Sequence, residues 1–385
     1  MKVGIYFPDY RPKDGGANTL LGTILKEIEN SKSYNYDFVV LYKGKTNNIK
    51  TINNIKYIDL GYLFGTNIFS KVIRKLREDL FKYSILDKVA KQEKIDLYYF
   101  PEHPNINVTT PYIFTVWDLG HRTVPQYPEV SEKGEWKKRE KLYQKMLYKA
   151  KYIITGNNTG KKEIIDYYQV DENKIRICEF PVSSFCYGNE EKPRFQIPDD
   201  YFFYPAQFWK HKNHICIVEA LKILNDKYNL NPIVFFTGSD KGNKDNIVNK
   251  ISEYHLEKQV VFTGFVKDEE LKYLYTHATA MIFASMMGPN NMPPIEATYL
   301  GCPVIITSLE GHKEQLANTA AYFDGNNPEE LALIIKEFLE NKALVSKYKE
   351  LEKPLGEKFS KISYFEQVKQ ILDEYDKNIS LSNML

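Results

Sequence analysis

The sequence is short of the residues and runs that mark disulfide-bonded, secreted or membrane-spanning proteins. None of its four cysteines forms a CxxC pair or stands at metal-ligand spacing from a histidine: Cys178, Cys186, Cys216 and Cys302. We therefore expect buried or free thiols in a reducing compartment. No apolar run approaches the ~18 residues that span a bilayer. The opening residues MKVGIYFPDY predict a strand rather than a signal peptide, so we expect a cytoplasmic protein.

The sequence also lacks the motifs of several enzyme classes. It contains no Asp-x-Asp, no HExxH and no paired histidines, which argues against a metal site. The absence of Gly-x-Ser-x-Gly argues against a hydrolase nucleophile. The loop after the first apolar run has neither the GxGxxG spacing of dinucleotide-binding proteins nor a Walker lysine. We therefore expect no metal and no cofactor.

Acidic residues are scarce in the first part of the chain. Residues 1–150 carry 25 Lys and Arg against 17 Asp and Glu, a balance of +8. The remaining residues carry 27 against 33, a balance of −6, so the whole chain has a net charge of only +2. This uneven distribution indicates that the two parts of the chain meet different partners.

Short apolar runs alternate with helical patterns, which is typical of βαβ units and parallel sheets. The first half has strand candidates at 3–7, 37–42, 96–100, 112–116 and 152–155, and helix candidates near 19–30, 69–92, 135–150 and 160–168. The Asn-rich piece KTNNIKTINNIKYIDL, residues 45–60, predicts two short strands joined by a small turn. The second half has strand candidates at 201–205, 232–238, 260–266, 280–285, 303–308 and 320–323, and helix candidates at 213–228, 246–254, 267–276, 293–300 and 328–340.

The pattern predicts an α/β protein with two doubly wound, Rossmann-like domains that face each other across a cleft. Residues 1–182 would form the first domain and residues 201–361 the second. The polar, aperiodic segment 183–200 is typical of an interdomain linker. A last helix within 362–385 is expected to cross back to the first domain. Ligands of such sheets bind beyond the carboxyl ends of the strands, so the loops there are the candidate sites.

The loop after strand 201–205 is rich in cations. It reads PAQFWKHKNH, which brings Lys210, His211, Lys212 and His214 directly before a helix. A helix N-terminus favours anions, and two lysines add to that preference. The loop therefore predicts a phosphate site, with a solvated basic turn as the alternative.

Two loops of the first half offer further candidates. Gly15-Gly16 follows the first strand, and paired glycines let a backbone approach a ligand closely, although glycines in a turn are often only structural. Asp118 and His121, within TVWDLGHR, follow another strand. An Asp near a His can orient a hydroxyl or accept its proton. A purely structural Asp–His hydrogen bond is the alternative.

The stretch GPNNMPPIEA, residues 288–297, is too rigid and too polar for an ordinary connection. One of its later prolines suits the first position of a helix. The backbone N–H groups of Asn290, Asn291 and Met292 would then point into the cleft. Glu296 is expected in the first turn of this helix, where a carboxylate also complements the helix dipole.

Together these blocks resemble the retaining glycosyltransferases of family 4, which have the GT-B fold. The resemblance is best over residues 200–325 and fainter in the first half. In that family a strand is followed by Gly-Arg-x4-Lys, whose Arg and Lys hold the donor diphosphate. Gln207 stands at the Arg position and Lys212 at the Lys position, and Lys210 is the candidate to replace the missing arginine.

The second signature of the family is Glu-x7-Glu, which falls on Gly288 and Glu296. By resemblance Glu296 binds the ribose of the nucleotide, whereas Gly288 stands where the family has its donor-sugar carboxylate. The amides of residues 290–292 would cradle the diphosphate. The run GCPVIITSLEGHKE matches a further block downstream.

By resemblance, VVFTGFVKDEEL matches the loop beside the nucleotide base, and the loops of the first half match the acceptor side of the cleft. The resemblance thus implies catalytic residues and donor-binding residues. The residues with implied catalytic roles are Lys212, Asp118 and His121. The implied donor-binding residues are Gly15, Gly16, Gln207, Lys210, Phe265, Val266, Gly288, Asn290, Asn291, Met292 and Glu296.

The implied activity is metal-independent, retaining transfer of a sugar from a nucleoside diphosphate donor to a hydroxyl. The expected acceptor is a glycan or lipid-linked glycan for a cell-surface polysaccharide, and no nucleic acid partner is expected. The stretches FSKVIRKLREDLFKYS and EWKKREKLYQKMLYKAKY combine aromatics with cations, as interfacial helices do. An anionic membrane surface, at the inner face of the cell membrane, is thus a further hypothesis. Solvated helices over a core are its alternative.

Two other functions stay open. One is a nucleotide-sugar 2-epimerase on the same fold, which the GPNNMPP and HKNH blocks disfavour. The other is a non-catalytic protein that binds sugar nucleotides, because Gln207 and Gly288 depart from the family pattern.

Overall fold

The computed structural model describes residues 1–7, 16–30, 36–42, 49–52, 55–60, 84–102, 104 and 108–382. Within these residues the chain forms two separate, largely parallel sheets with helices around them, which confirms the predicted α/β fold class.

The first sheet has eight strands and precedes residue 178. In chain order they are β1 Lys2–Phe7, β2 Asp37–Tyr42, β3 Ile49–Ile52, β4 Ile55–Asp59, β5 Leu97–Phe100, β6 Tyr112–Thr115, β7 Tyr152–Thr155 and β8 Ile175–Ile177. Their spatial order is β3-β4-β2-β1-β5-β6-β7-β8, and only the β3–β4 pair is antiparallel. The helices of this part are α1 Gly16–Asn30, α2 Ile85–Glu93, α3 Gly120–Thr123, α4 Pro128–Ser131, α5 Glu135–Lys149 and α6 Asn158–Tyr168.

The second sheet has six strands, all parallel, and begins after residue 201. In chain order they are β9 Phe202–Pro205, β10 Val234–Thr237, β11 Val260–Gly264, β12 Ala280–Phe283, β13 Val304–Thr307 and β14 Ala321–Phe323. Their spatial order is β11-β10-β9-β12-β13-β14. The helices of this part are α7 His214–Tyr228, α8 Lys244–Glu253, α9 Asp268–Thr276, α10 Met292–Leu300, α11 Glu310–Leu316, α12 Pro328–Glu340, α13 Lys342–Ser360 and α14 Tyr364–Ser382.

Burial explains why the strands are continuous apolar runs. Every residue of β5, β6 and β7 is buried, as are all four residues of β12 and β13. Strands of a parallel sheet are covered on both faces, so they do not alternate between apolar and polar residues. In the second sheet the strand order reverses between β9 and β12, and such a switch point is where a ligand crevice opens.

The last helix, α14, lies against the first domain. Arg176, which belongs to β8, donates two hydrogen bonds to the carboxylate of Glu374, at 3.0 and 2.5 Å. Glu27 of α1 accepts hydrogen bonds from the hydroxyl of Ser363 and the backbone N–H of Phe365. The end of the chain therefore joins the two halves on the side of α1.

Most of the predicted elements agree with the structure within two or three residues, and β2, β7 and α12 agree at both ends. The elements that the sequence did not predict are β8, α3, α4, α11 and α13. Residues 69–83 of the predicted helix 69–92 lie outside the described residues, and the remainder overlaps α2, which ends one residue later at Glu93. The four cysteines are buried and free, which confirms that prediction. Across the described ranges, no helix combines the length and apolar character that a membrane crossing requires.

Candidate active site

A cleft cavity of about 630 Å³ lies where loops of the two domains meet. Trp117 and Asp118, just after β6, line it from the first domain. The second domain contributes the loops that follow β9, β11 and β12. Since all of these loops leave the carboxyl ends of parallel strands, the cavity occupies the position expected for a ligand site in this class of fold.

Lys212 is held at the floor of the cleft by a short 3-10 turn, Lys210–Lys212. Asn213 ends this turn with a φ of 55°, a left-handed conformation that Asn tolerates well, and α7 begins at the next residue. The Lys212 ammonium donates to Ser285 Oγ at 3.2 Å. Burial lowers its pKa to about 8, although the charges of Asp118 and Glu129 oppose this shift.

Of the other two residues predicted to contact the diphosphate, Gln207 lies in the cleft and Lys210 lies outside it. Gln207 lines the cavity, and its Oε1 accepts a hydrogen bond from Trp209 Nε1 at 3.0 Å. Lys210 is exposed and is not among the lining residues. The structure therefore does not bring Lys210 into the cleft, where it would have to lie to replace an arginine at position 207.

The loop between β12 and α10, residues 284–291, also lines the cavity. Its Asn291 amide donates through Nδ2 to His312 Nε2 at 3.0 Å. His312 Nδ1 lies 2.9 Å from the carbonyl oxygen of Thr307, so Nδ1 carries the proton and Nε2 accepts. Burial lowers the pKa of His312 to about 4, which keeps this neutral tautomer at pH 7.

Gln315 supports the same loop from α11. Its Nε2 donates to the Asn291 carbonyl at 2.7 Å, and its Oε1 lies 3.4 Å from the Asn291 backbone nitrogen. The N–H of Asn291 is thus directed at Gln315, whereas the sequence predicts it to face the cleft. His312 and Gln315 were not predicted as site residues, although His312 stands inside the matched run GCPVIITSLEGHKE.

Gly288 has a backbone conformation that explains why no carboxylate stands there. Its φ is +103°, a region that side chains other than glycine rarely adopt, and an added Cβ would come within 3.2 Å of Asn291 Nδ2. Residues 290–292 also line the cavity.

Glu296 is buried at the edge of the cleft. Its carboxylate accepts hydrogen bonds from Ser183 Oγ at 2.5 Å and from the Tyr275 hydroxyl at 2.7 Å. Burial raises its pKa, and these two hydrogen bonds oppose that shift. The predicted position in the first turn is wrong, because α10 begins at Met292 and Glu296 therefore lies in the second turn. Stabilisation by the helix dipole is correspondingly weaker there.

Asp118 and His121 do not form one site, because only Asp118 lines the cavity. Asp118 lines the cavity, and its Oδ1 accepts from the Gly120 N–H at 2.8 Å and from Arg139 at 3.2 Å. His121 is fully buried and is not among the lining residues. Its Nε2 lies 3.0 Å from the Tyr168 hydroxyl, which indicates a structural role.

The remaining predicted residues are Phe265 and Val266 of the second domain and Gly15 and Gly16 of the first domain. Phe265 is 74% exposed and lines the cavity together with Val266. Gly15 lies outside the described residues, whereas Gly16 is the first residue of α1. Leu20 and Lys26 of the same helix line the cavity.

Polar contacts between the domains surround the loop 284–291. Asn157 Nδ2 donates to the carbonyl of Pro289, and Asn290 Nδ2 donates to the carbonyl of Gly156 at 3.3 Å. A Cβ at position 156 would lie 2.6 Å from the Asn290 amide, so only glycine permits this approach. The sequence gives no signal for these contacts, because their partners lie more than 130 residues apart.

Glu314 makes a second contact between the domains. Its carboxylate accepts from the backbone N–H groups of Asn158 and Thr159 at the start of α6, each at 2.7 Å. The side chains of the same two residues also donate to it. A carboxylate of the second domain therefore caps a helix of the first domain.

The chemistry available in the cleft is that of anion and hydroxyl recognition. A lysine, side-chain amides, the N-terminus of α10, carboxylates and aromatic rings all line it. Across the described ranges, no group of three or more His, Cys, Asp or Glu side chains is arranged to hold a metal ion.

The chain matches a family model and a curated relative. Residues 189–354 match the model described as glycosyl transferases group 1. Over 202 residues the chain is 27% identical to the O-antigen chain mannosyltransferase RfbU of Salmonella typhimurium, a match that covers 51% of this chain and 55% of that protein. The chain thus spans about half the length of this relative.

Two solved structures are similar over nearly the whole chain. Sucrose-phosphate synthase from Thermosynechococcus elongatus superimposes with a TM-score of 0.73 at 14% identity, covering 99% of both chains. Anabaena Alr3699/HepE, solved in complex with UDP-glucose, gives a TM-score of 0.67 at 15% identity, covering 98% of this chain and 100% of the other. The two-domain fold that they share with this chain is GT-B, and the segment matched by the family model contains the whole second sheet. Over residues 189–354 the chain is therefore similar to the glycosyl transferases group 1, and its fold is the one that the two solved structures share.

Proposed function

We propose that the protein is a retaining, metal-independent glycosyltransferase that moves a sugar from a nucleoside diphosphate donor to a hydroxyl of a glycan or lipid-linked glycan. The observation that carries the proposal is the convergence of Lys212, the loop 284–291 and Glu296 in one cleft, within the segment that matches the family model. The proposed subtype is family 4, on the motif resemblance.

The main chemical demand of such a transfer is stabilisation of the departing diphosphate. Lys212 supplies a positive charge, and the N-terminus of α10 supplies the positive end of a helix dipole and the N–H of Met292, since Pro293 and Pro294 have no N–H. In the proposed step the bond from the anomeric carbon to phosphate breaks, the acceptor oxygen bonds to that carbon, and the acceptor proton passes to the leaving phosphate. No further base or metal is then required.

The relatives support the choice of substrates. RfbU is named as an O-antigen chain mannosyltransferase, and HepE was crystallised with UDP-glucose. We propose a nucleoside diphosphate hexose as donor and a growing cell-surface polysaccharide as acceptor. We propose that the exposed ring of Phe265, which lines the cleft, stacks on the base of the donor.

We further propose that α5 rests on an anionic membrane surface at the inner face of the cell membrane. Lys137, Lys141 and Tyr148 share one exposed face of this helix, and Tyr148 is 56% exposed. Trp136 is partly exposed beside them. Aromatic rings among lysines are typical of interfacial helices. The protein should co-sediment with phosphatidylserine vesicles at low salt and less with the double variant Lys137→Glu, Lys141→Glu. Equal sedimentation of both proteins would contradict the proposal.

The transfer is tested by a thermal-shift screen of UDP- and GDP-linked sugars followed by product analysis. A bound donor stabilises the native state. The stabilising donor should then release nucleoside diphosphate only when an acceptor glycan is present, and the anomeric configuration of the product should match that of the donor. Turnover should survive EDTA. An inverted product would refute the retaining mechanism.

The same assay separates the alternatives. Nucleoside diphosphate released without acceptor, together with a changed free sugar, would indicate an epimerase. Donor binding without turnover across a broad acceptor panel would indicate a binding protein, an alternative kept open by Gln207 and Gly288, where the family pattern is not met.

A further inference from the structure

A histidine of the second domain meets a glutamate of the first domain at the wall of the cleft. His211 belongs to the turn that carries Lys212, and Glu129 belongs to α4. Glu129 Oε1 accepts a hydrogen bond from the backbone N–H of His211 at 2.7 Å and also contacts His211 Nδ1. The two side chains are only 6% and 8% exposed.

The contact fixes the tautomer of His211. A carboxylate can only accept, so Nδ1 carries the proton and Nε2 of the neutral ring keeps a lone pair. Burial lowers the pKa of His211, and the hydrogen bond to Glu129 offsets this only in part, so the ring is neutral at pH 7. Burial would raise the pKa of Glu129, but the hydrogen bonds from His211 hold it below its usual value. The charged groups that face His211 are Glu129, Lys212 and Asp118.

The second nitrogen, Nε2, is available to the cleft. His211 lines the cavity, and Nε2 lies across the ring from the contact with Glu129. Within the described part of the chain no side chain or backbone group hydrogen-bonds to Nε2. It is not enclosed by protein as the ring nitrogens of His214 are. The rings of Trp209 and Tyr127 pack at 6.4 and 6.3 Å and hold the imidazole plane.

We propose that His211 Nε2 accepts a hydrogen bond from a sugar hydroxyl at the reaction centre, and that Glu129 is the positioning residue that keeps Nε2 unprotonated. This inference rests on the proposed glycosyl transfer and adds a recognition residue to it. A lone pair repels phosphate oxygens, so the ligand of Nε2 is a hydroxyl, from either the donor sugar or the acceptor. Because its two members come from different domains, the pair is complete only when the domains meet.

A matched set of variants separates the two nitrogens of His211. In His211→Asn the side-chain amide can still donate to Glu129 in place of Nδ1, but nothing replaces Nε2. In His211→Gln the longer side chain brings its amide to the position of Nε2, and the side-chain hydrogen bond to Glu129 is lost. In Glu129→Gln the amide oxygen can still accept from the backbone N–H and from Nδ1 of His211, so the tautomer is retained and only the negative charge is lost.

The assay is turnover of the nucleotide sugar selected by thermal shift, with melting temperatures measured on each variant. We expect His211→Asn to lose about ten-fold in kcat/KM, the size of effect for one lost hydrogen bond, with a melting temperature near that of the wild type, and Glu129→Gln to lose less because it keeps the tautomer. His211→Gln should keep more activity than His211→Asn. A raised KM for the donor alone assigns the hydroxyl to the donor sugar, and a raised KM for the acceptor alone assigns it to the acceptor.

The pH dependence of kcat/KM distinguishes a binding role of His211 from a purely structural one. Wild-type kcat/KM should fall at acid pH as Nε2 becomes protonated, below the ordinary histidine pKa, and His211→Asn should lack this fall. Wild-type values of kcat and both KM in His211→Asn, or a smaller loss in His211→Asn than in His211→Gln, would overturn the assignment. A wild-type protein that turns over no nucleotide sugar would instead refute the proposed transfer, and this assignment with it.

Discussion

At the scale of the residue, Lys212 illustrates how packing changes the behaviour of an ordinary cation. Its ammonium sits beside Ser285 Oγ and 5.1 Å from the centre of the Phe283 ring. A cation taken from water and held with few neutral partners gains more from an incoming anion than a solvated lysine does. A turn rich in lysines was predictable, but which of them would face the cleft was not.

Replacing Lys212 by Ala should lower kcat/KM by about 100-fold or more, because one preorganised charge that meets the departing diphosphate is lost. Stability should not fall, since the ammonium has no carboxylate partner within salt-bridge distance among the described residues and its burial costs free energy at pH 7. Lys347→Ala, at an exposed site on α13, is the control and should keep wild-type kinetics. Steady-state kinetics with urea unfolding would check both expectations, and unchanged turnover in Lys212→Ala would refute the diphosphate role.

The lowered pKa of Lys212, about 8, predicts a pH dependence of donor binding. The free protein should bind UDP or GDP less tightly as pH rises through about 8, because the ammonium loses its proton. The effect on stability has the opposite sign: the buried charge costs stability below pH 8, and this cost disappears between about 8 and the ordinary value of 10.5. Calorimetric titration at pH 7 and pH 9 measures the first effect. Equal affinities at the two values would contradict the placement of Lys212.

At the scale of the element, the loop 284–291 is held from both domains. The side-chain amide of Asn157 caps α6 through Oδ1, which accepts from the Gly160 N–H at 2.9 Å, and reaches Pro289 through Nδ2. Asp at position 157 would keep the cap and lose the contact to the loop. We expect Asn157→Asp to fold normally and to bind nucleoside diphosphate several-fold more weakly, whereas Asn157→Ala should also destabilise α6. Equal affinities of Asn157→Asp and wild type would show that the contact does not support the loop.

The cap that Glu314 provides to α6 predicts an acid-sensitive interface. Burial would raise the pKa of Glu314, but its hydrogen bonds from Thr159 and Asn158 bring the pKa below the usual 4.5. A carboxyl with a depressed pKa in the folded state stabilises above its unfolded pKa, and this contribution is lost as pH falls through the lower folded value. Glu314→Gln should cost about 1 kcal/mol at pH 7 and less near pH 3. A cost that does not change with pH, in parallel denaturant titrations, would argue against the charged cap.

The elements were largely predictable, and the way they meet was not. Buried strands such as YIIT at 152–155 are apolar throughout, and the start of α12 is marked by Asn-Pro, so local pattern is enough to find them. The short helices α3 and α4 have no periodic apolar face, which is why the sequence did not predict them. His312, Glu129 and Asn157 act through partners far away along the chain, and no spacing rule reveals such pairs.

At the scale of the whole molecule, α14 ties the two halves together. The ring of Phe365 packs against Phe38 of β2 at 5.4 Å, and the neighbouring Tyr364 lies 6.2 Å from Trp117 of the cleft. The end of the chain is therefore part of the support of the site.

Phe365→Ala should destabilise the protein by about 3 to 5 kcal/mol, because a fully buried ring is removed and leaves a cavity. Leu381→Ala, at an exposed position near the end of α14, is the matched control and should change the melting temperature little. Thermal unfolding measures the difference. Equal melting temperatures of the two variants would mean that the helix does not hold the first domain.

In the proposed donor site, Gly288 would limit how the sugar preference could be altered. Placing there the carboxylate that the motif resemblance implies for the family is a change of one residue in sequence, but the left-handed backbone at φ +103° would have to be rebuilt at the same time. Any single substitution at this site would therefore strain the backbone, and saturation mutagenesis should recover few active variants there. Directed evolution toward another donor would have to begin at neighbours with ordinary backbone conformations, such as Met287, and reach position 288 last.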